Sequence, residues 1–203
     1  MHKGLFIALE GGEGSGKDTQ IERLRKLFDP ETTVFTSEPG GTEIGEKLRS
    51  FVLHTGMEPE IELLVFLTAR AVLMEQVVRP ALAQGKLVIA NRFGLSTIAY
   101  QIYGRERHAL LPLVRQLSEK IVGTNEPRYI LLDVPPDVGL ARVESRKDGK
   151  TRFDAENIRF HERVRSGYQN HYNEDGRSAF VDATLPIEEV TTLIYDRIHG
   201  WLS

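Results

Sequence analysis

The segment Gly11-Gly12-Glu13-Gly14-Ser15-Gly16-Lys17 constrains this chain more than any other stretch. It fits the GxxxxGK pattern of a phosphate-binding loop. Glycines let backbone N–H groups turn inward around phosphate oxygens, and the helix that follows presents its positive end. Lys17 adds a charge for the outer phosphates. The setting agrees. Leu5–Glu10 reads as a strand entering the loop, and a helical pattern leaves it from about Lys17 to Phe28. A glycine-rich turn without a ligand is the plain alternative, and the strand-to-helix placement argues against it. The dinucleotide pattern GxGxxG is not met, because starting it at Gly12 puts Lys17 where the last glycine should stand.

Beyond the loop, short apolar runs alternate with helical patterns. Thr33–Ser37, Leu87–Ala90, Arg128–Asp133 and Ser178–Val181 read as further strands. Helical patterns cover Glu43–Leu53, Pro59–Gln84, Ser96–Tyr103, Ala109–Val122, Pro136–Ser145, Ala155–Asp175 and Ile187–Leu202. Within Pro59–Gln84, Leu63, Leu64, Leu67, Ala71, Met74, Val77 and Val78 fall at helix spacing, and Pro80 marks a kink or a fresh start. This alternation predicts an α/β protein: a doubly wound parallel sheet covered on both faces. Without an internal repeat or linker, residues 1–203 are expected to form one domain, with a polar, basic lid at about 145–154. Ligands in such sheets sit outside the carboxyl ends of the strands. Those ends are Glu10 to Lys17, Glu38 to Thr42, Asn91 to Ser96, and Asp133.

Composition narrows the chemistry. The chain has no cysteine, which excludes disulfides, thiolate metal sites and cysteine nucleophiles. A net charge of −3 gives no general reason to bind a nucleic acid polymer or an anionic membrane. No apolar run reaches the roughly 18 residues of a membrane helix. The start of the chain lacks a signal peptide's apolar segment, so a cytoplasmic enzyme is expected. The six histidines show no metal-ligand spacing, and neither GxSxG nor a guanine-reading NKxD segment is present.

Further motifs stand in order along the chain. They are Glu38-Pro39-Gly40-Gly41-Thr42 with Gly45 and Leu48-Arg49, then Glu62–Arg70 with Arg79-Pro80-Ala81-Leu82. Asn91-Arg92-Phe93 follows, with Ser96-Thr97 and Ala99-Tyr100-Gln101, and then Leu132–Pro136. Last come Arg152-Phe153-Asp154 and Phe160, His161, Arg163, Val164, Gly167 and Tyr168. With Glu10–Gln20, these segments resemble the thymidylate (dTMP) kinase family over nearly the whole chain.

That resemblance implies a P-loop nucleoside monophosphate kinase-like three-layer sandwich with a five-stranded parallel sheet and a short lid. It implies transfer of a phosphoryl group from ATP, with Mg²⁺, to dTMP, giving ADP and dTDP. ATP would lie on Gly11, Gly12, Glu13, Gly14, Ser15, Gly16, Lys17, Asp18 and Thr19. Arg49 and Arg92 would hold the acceptor phosphate, which suits the two-pronged guanidinium. Phe66 and Arg70 would take the thymine, Ser96, Thr97 and Gln101 would hydrogen-bond it, and Tyr100 would lie near the sugar, with Glu38 also on the substrate side. Lys17, Arg92, Arg152 and Glu13 form the expected catalytic set: Glu13 helps place a lid arginine or the sugar, and Arg152 neutralises the transferred phosphoryl group. The family is usually homodimeric through long helices, so Pro59–Gln84 is the candidate dimer surface.

The residues allow plainer roles as well. Phe66 and Arg70 share a helix face one turn apart, and spacing alone favours a core role for Phe66. An arginine beside an apolar stripe is harder to explain as core. Ser96 could cap a helix, and Glu13 could be a solvated carboxylate. The lid cations Arg146, Lys147, Lys150 and Arg152 could form a solvated loop; Arg152 is preferred because it stands at the family's position before Phe153-Asp154.

Two positions depart from the pattern. The phosphate loop calls for Ser or Thr after the lysine to hold Mg²⁺; here Asp18 stands there and Thr19 comes one later. The family's Asp-Arg pair at the end of the third strand begins here with Asn91. Asp18, with Thr19, is the expected metal group, its carboxylate replacing the missing charge and hydroxyl together. The competing reading is a catalytically weak nucleotide-binding or regulatory protein. A kinase for another deoxynucleoside monophosphate is the alternative among enzymes.

Overall fold

The computed structural model describes residues 4–145, 151–172 and 177–203. Its centre is a parallel five-stranded sheet: β1 (Leu5–Glu10), β2 (Thr33–Ser37), β3 (Leu87–Asn91), β4 (Arg128–Asp133) and β5 (Ser178–Asp182), in the order β2-β3-β1-β4-β5. The central strand β1 pairs with β3 from Leu5↔Leu87 to Leu9↔Asn91, and with β4 from Ile7↔Arg128 to Glu10↔Leu131. Side chains alternate across a strand, so β1 feeds both faces. Ile7 and Leu9 join the core beneath α1 (Lys17–Leu27) and α9 (Ile187–Leu202), with Ile21, Leu24, Ile194 and Ile198. Phe6 and Ala8 join the opposite core with Leu73, Met74, Val78 and Phe93. A strand covered on both faces reads as an unbroken apolar run, which is why these strands were legible.

The second layer differs from the expected helices. Pro59–Gln84 is not one regular helix: α3 (Pro59–Leu73) passes through a π-helical turn, Met74–Val78, into α4 (Arg79–Ala83). Pro80 lies in the first turn of α4, where its missing N–H costs least, and the wide turn before it absorbs the break. The expected helix Ser96–Tyr103 is a short α5 (Gly94–Thr97) running into a second π-helical segment, Ile98–Gly104. Its i→i−5 bonds include Arg105 N to Tyr100 O at 3.0 Å and Arg107 N to Ile102 O at 2.8 Å. α2 (Glu43–His54), α6 (Leu111–Val122) and α7 (Pro136–Glu144) follow the reading closely. The reading Ala155–Asp175 shortens to α8 (Ile158–His171), because Asn157 caps its start by accepting from Phe160 N at 3.0 Å. Asp175 lies outside the described residues, as do Arg146, Lys147 and Lys150 of the expected lid.

Two close approaches fix the elements around the strand ends. A Cβ on Gly167 of α8 would lie 2.9 Å from Ala99 Cα, so glycine lets α8 pack onto the π-helical segment that carries Tyr100 and Gln101. A Cβ on Gly14 would lie 2.0 Å from Gly139 O, and one on Gly139 would lie 2.3 Å from Glu13 O. The phosphate loop therefore rests directly on the backbone of α7.

Candidate active site

A cavity of about 300 Å³ opens at the carboxyl ends of the strands. One end is formed by the phosphate loop and Asp18, the middle by Arg49, Arg92 and Glu13, and the far end by Phe66, Thr97, Tyr100 and Gln101. Glu38 and Ser96 also line it. Cation, phosphate cradle and aromatic wall thus come from four separate parts of the chain, at the place the parallel sheet reserves for ligands.

The loop is shaped by its own side chains. Lys17 Nζ donates to Gly11 O at 2.9 Å, Gly12 O at 2.8 Å and Ser15 Oγ at 3.0 Å, so its ammonium folds back over the turn. Burial, reinforced by the Arg92 charge, pushes this lysine down to about 7, although Glu13, Asp18 and Glu10 oppose the shift. Gly14, Gly16, Lys17 and Asp18 reach the cavity wall, while Gly11, Gly12 and Ser15 form the turn behind it. Thr19 is exposed on α1 and does not line the cavity.

Arg92 organises the middle of the site. Its backbone takes a positive φ of 68°, costly for a non-glycine residue and typical of functional turns. The guanidinium donates to Gly11 O at 3.0 Å, Tyr168 Oη at 3.1 Å and Glu13 Oε1 at 2.9 Å. Tyr100 Oη donates to the same Glu13 oxygen at 2.7 Å. Burial alone would raise the Glu13 carboxyl, but Arg92 above all, with Lys17 and Tyr100, holds it down to about 2. Glu13 is therefore no free loop carboxylate. The Arg49 side chain makes one hydrogen bond among the described residues, Nη1 to Pro39 O at 3.3 Å, and no ion pair among them, which leaves its charge on the cavity wall for an anion.

Ser96 does not cap α5. Its hydroxyl donates to Glu10 Oε2 at 2.6 Å and also meets Tyr168 Oη at 2.7 Å. Glu10 is fully buried and accepts from Phe93 N at 2.9 Å and Ser96 N at 3.2 Å, tying α5 to the end of β1.

Two expected arginines sit elsewhere than anticipated. Arg70 is completely buried behind the wall rather than on it. Its Nε donates to Glu38 Oε2 at 2.9 Å, its Nη2 to Glu38 Oε1 at 2.5 Å and Thr97 Oγ1 at 2.6 Å, and its Nη1 to Ser118 Oγ at 3.1 Å. Arg152 is also absent from the wall: its Nε donates to Val52 O at 2.6 Å and its Nη2 pairs with Glu62. Long-range carboxylates capture both guanidiniums, and spacing along the chain does not reveal such partners.

Sequence reasoning missed Glu62, Phe153 and Tyr168 as parts of the site. Phe153 lines the cavity, meeting Phe66 at 6.4 Å and Tyr100 at 5.7 Å between ring centroids. Glu62, Phe66 and Arg70 lie four residues apart on one face of α3, so an acid within that apolar stripe was the available signal.

Asp18 and Asn91, the two departures from the pattern, are in contact: Asn91 Nδ2 donates to Asp18 Oδ1 at 2.6 Å. Asn91 Oδ1 is buried and has no hydrogen-bond partner among the described residues. The amide thus turns its NH₂ to the carboxylate and its oxygen away, so of this pair it is the Asp18 carboxylate that offers a hard-oxygen ligand of the kind Mg²⁺ takes.

A family model described as thymidylate kinase matches residues 9–194. A thymidylate kinase from Syntrophotalea carbinolica is 41% identical, with 94% of this chain and 93% of that protein covered. One from Deinococcus radiodurans is 39% identical, with 96% of each covered. Among solved structures, a thymidylate kinase from Ehrlichia chaffeensis superposes with a TM-score of 0.75 at 28% identity, covering 96% of this chain and 98% of that one.

Proposed function

Because the chain belongs to the thymidylate kinase family, a family of phosphotransferases, we propose a division of labour among its residues in phosphorylating dTMP to dTDP. The donor is ATP. A dTMP phosphate oxygen forms a bond to the terminal phosphorus of ATP as the bond from that phosphorus to the bridging oxygen breaks, and ADP leaves. No covalent enzyme intermediate is needed, so catalysis is positioning plus electrostatics.

The observation that carries this assignment is the single cavity joining the phosphate loop to Arg49 and Arg92, and those to Phe66, Thr97 and Gln101. Loop amides and Lys17 hold the donor phosphates. Arg49 and Arg92 hold the acceptor phosphate, with Glu13 and Tyr100 fixing the Arg92 fork. Phe66 faces the base, and Thr97 and Gln101 read its edge. Arg70 and Glu38 act from behind as a buried pair that positions Thr97. The Asp18 carboxylate, held in place by the Asn91 amide, would hold Mg²⁺, which would supply charge neutralisation at the donor phosphates. Arg152 reaches a phosphoryl group only by giving up Glu62, an exchange suited to a closing lid at about 145–154.

The same reading makes residues 1–203 one cytoplasmic domain. No helix among the described residues is long and apolar enough to cross a membrane. Exposed Ile61 and Leu64 on α3 support a homodimer through the Pro59–Gln84 surface. The test is ADP production from ATP and Mg²⁺ with dTMP, dUMP, dCMP, dGMP and AMP offered separately. Clear preference for dTMP is expected. Nucleotide binding without turnover of any acceptor would favour the regulatory alternative instead.

A further inference from the structure

Glu62 touches nothing in the cavity, yet it controls what the cavity offers to a base. It is fully buried on α3. Its Oε1 accepts from Gln101 Nε2 at 2.8 Å and, weakly, from Arg105 Nε at 3.4 Å. Its Oε2 accepts from Arg105 Nη2 at 3.4 Å and from Arg152 Nη2. A carboxylate set between guanidiniums is an acceptor of hydrogen bonds. An amide facing such a group has one orientation, with its NH₂ toward the carboxylate and its carbonyl oxygen away. Gln101 lines the cavity, and the only hydrogen bond of its side chain among the described residues is the one to Glu62. Its Oε1 is therefore presented as an acceptor.

We infer that Glu62 is a specificity-determining positioning residue: by fixing the polarity of the Gln101 amide, it demands an N–H donor on the edge of the base. This rests on the assignment of dTMP as acceptor. Thymine carries N3–H between two carbonyl groups. Cytosine carries an unprotonated N3 between a carbonyl and an amino group. An acceptor oxygen pairs with the first N3 and faces a lone pair on the second, so the fixed amide attracts one base and repels the other.

The variant Glu62→Gln tests this by inverting the polarity. Arg105 and Arg152 retain the remaining oxygen of the introduced side chain, so its NH₂ faces Gln101. The Gln101 amide must then turn over and point its own NH₂ into the cavity. The acceptors compared are dTMP and 5-methyl-dCMP, which differ only along the edge that Gln101 reads. In the full-length variant, the ratio of kcat/KM for dTMP to that for 5-methyl-dCMP should fall by on the order of 100-fold, about tenfold from each acceptor. Effects on the lid through Arg152 act on both acceptors alike and leave the ratio unmoved. Equal losses on both acceptors would therefore overturn the inference. Adding Gln101→Glu restores an inward oxygen, so the double variant should recover the preference for dTMP; failure to recover it counts against the role.

If the single variant does not fold, Gln101→Glu alone and the double variant carry the test. Alone, Gln101→Glu sets two carboxylates face to face and should lose most dTMP turnover, which the double variant regains. Equal activity of those two overturns the inference. A wild-type protein that turns over no dTMP would overturn both this inference and the assignment beneath it; wild-type dTMP turnover with an unmoved ratio removes only the role of Glu62.

Discussion

Lys17 should take up a proton when a nucleoside triphosphate binds. Its ammonium is buried in its own loop and lowered to about 7 from the ordinary lysine value of 10.5. At pH 8 only about a tenth of the molecules carry the charge, at pH 7 about half, and at pH 6 about nine-tenths. A triphosphate in the loop places several negative charges beside the amine and restores the charged form. Binding at pH 8 therefore takes up about 0.9 proton, against about 0.1 at pH 6. Recharging the amine costs about 1.4 kcal/mol for each pH unit above 7, so affinity should weaken about tenfold per unit there and level off below. The folded state binds fewer protons than the unfolded chain between about 7 and 10.5, so this group makes the free protein more stable as pH rises through that window. Calorimetric titration with metal-free ATP, in buffers of different ionisation enthalpy, counts the protons directly. At pH 8 a terminal phosphate with a last pKa of ~6 is already ionised and contributes little. Uptake below about 0.2 proton at pH 8, or equal uptake by Lys17→Met, would refute the reasoning.

Two other changes follow from contacts in the same cavity. If Asp18 carries the charge that Asn91 lacks, Asp18→Thr and Asn91→Asp should each lower Mg²⁺-dependent turnover, while the double variant recovers. A double variant no better than the worse single one would end that account. Glu38→Gln should destabilise the protein by about 3–5 kcal/mol, because it leaves Arg70 charged, buried and without its carboxylate. At roughly 2–4 °C per kcal/mol for a chain of this size, thermal unfolding would drop by roughly 6–20 °C; a loss under about 1 kcal/mol would show that the pair is not structural.

The strands and the phosphate loop were legible because local pattern determines them. Apolar runs such as Phe6–Leu9 are buried on both faces whatever packs against them, and the glycine spacing of Gly11–Lys17 follows from the turn it must make. The members of the cavity were mostly legible too, through the motifs around Arg49, Phe66 and Arg92. Partners were not. That Arg70 is occupied by Glu38, and Arg152 by Glu62, depends on how α3 approaches the end of β2 and residues 151–154 in space. The π-helical segments were equally hidden, since one extra residue per turn leaves little trace in a helical hydrophobic pattern. Asp18 and Asn91 lie between these cases: each was visible as an oddity, and only the fold puts one against the other.

The contact between Gly14 and Gly139 bears on how such proteins can be recombined. Neither position tolerates a side chain while the other backbone stays in place. Any graft that exchanges α7 together with the segment proposed as a lid brings a new residue 139 beneath a phosphate loop inherited from the recipient. The transplantable module therefore ends not at the bounds of that proposed segment but at the seam where α7 bears on the loop. A chimera lacking glycine at that seam would lose donor affinity even though every nucleotide-facing residue had been kept.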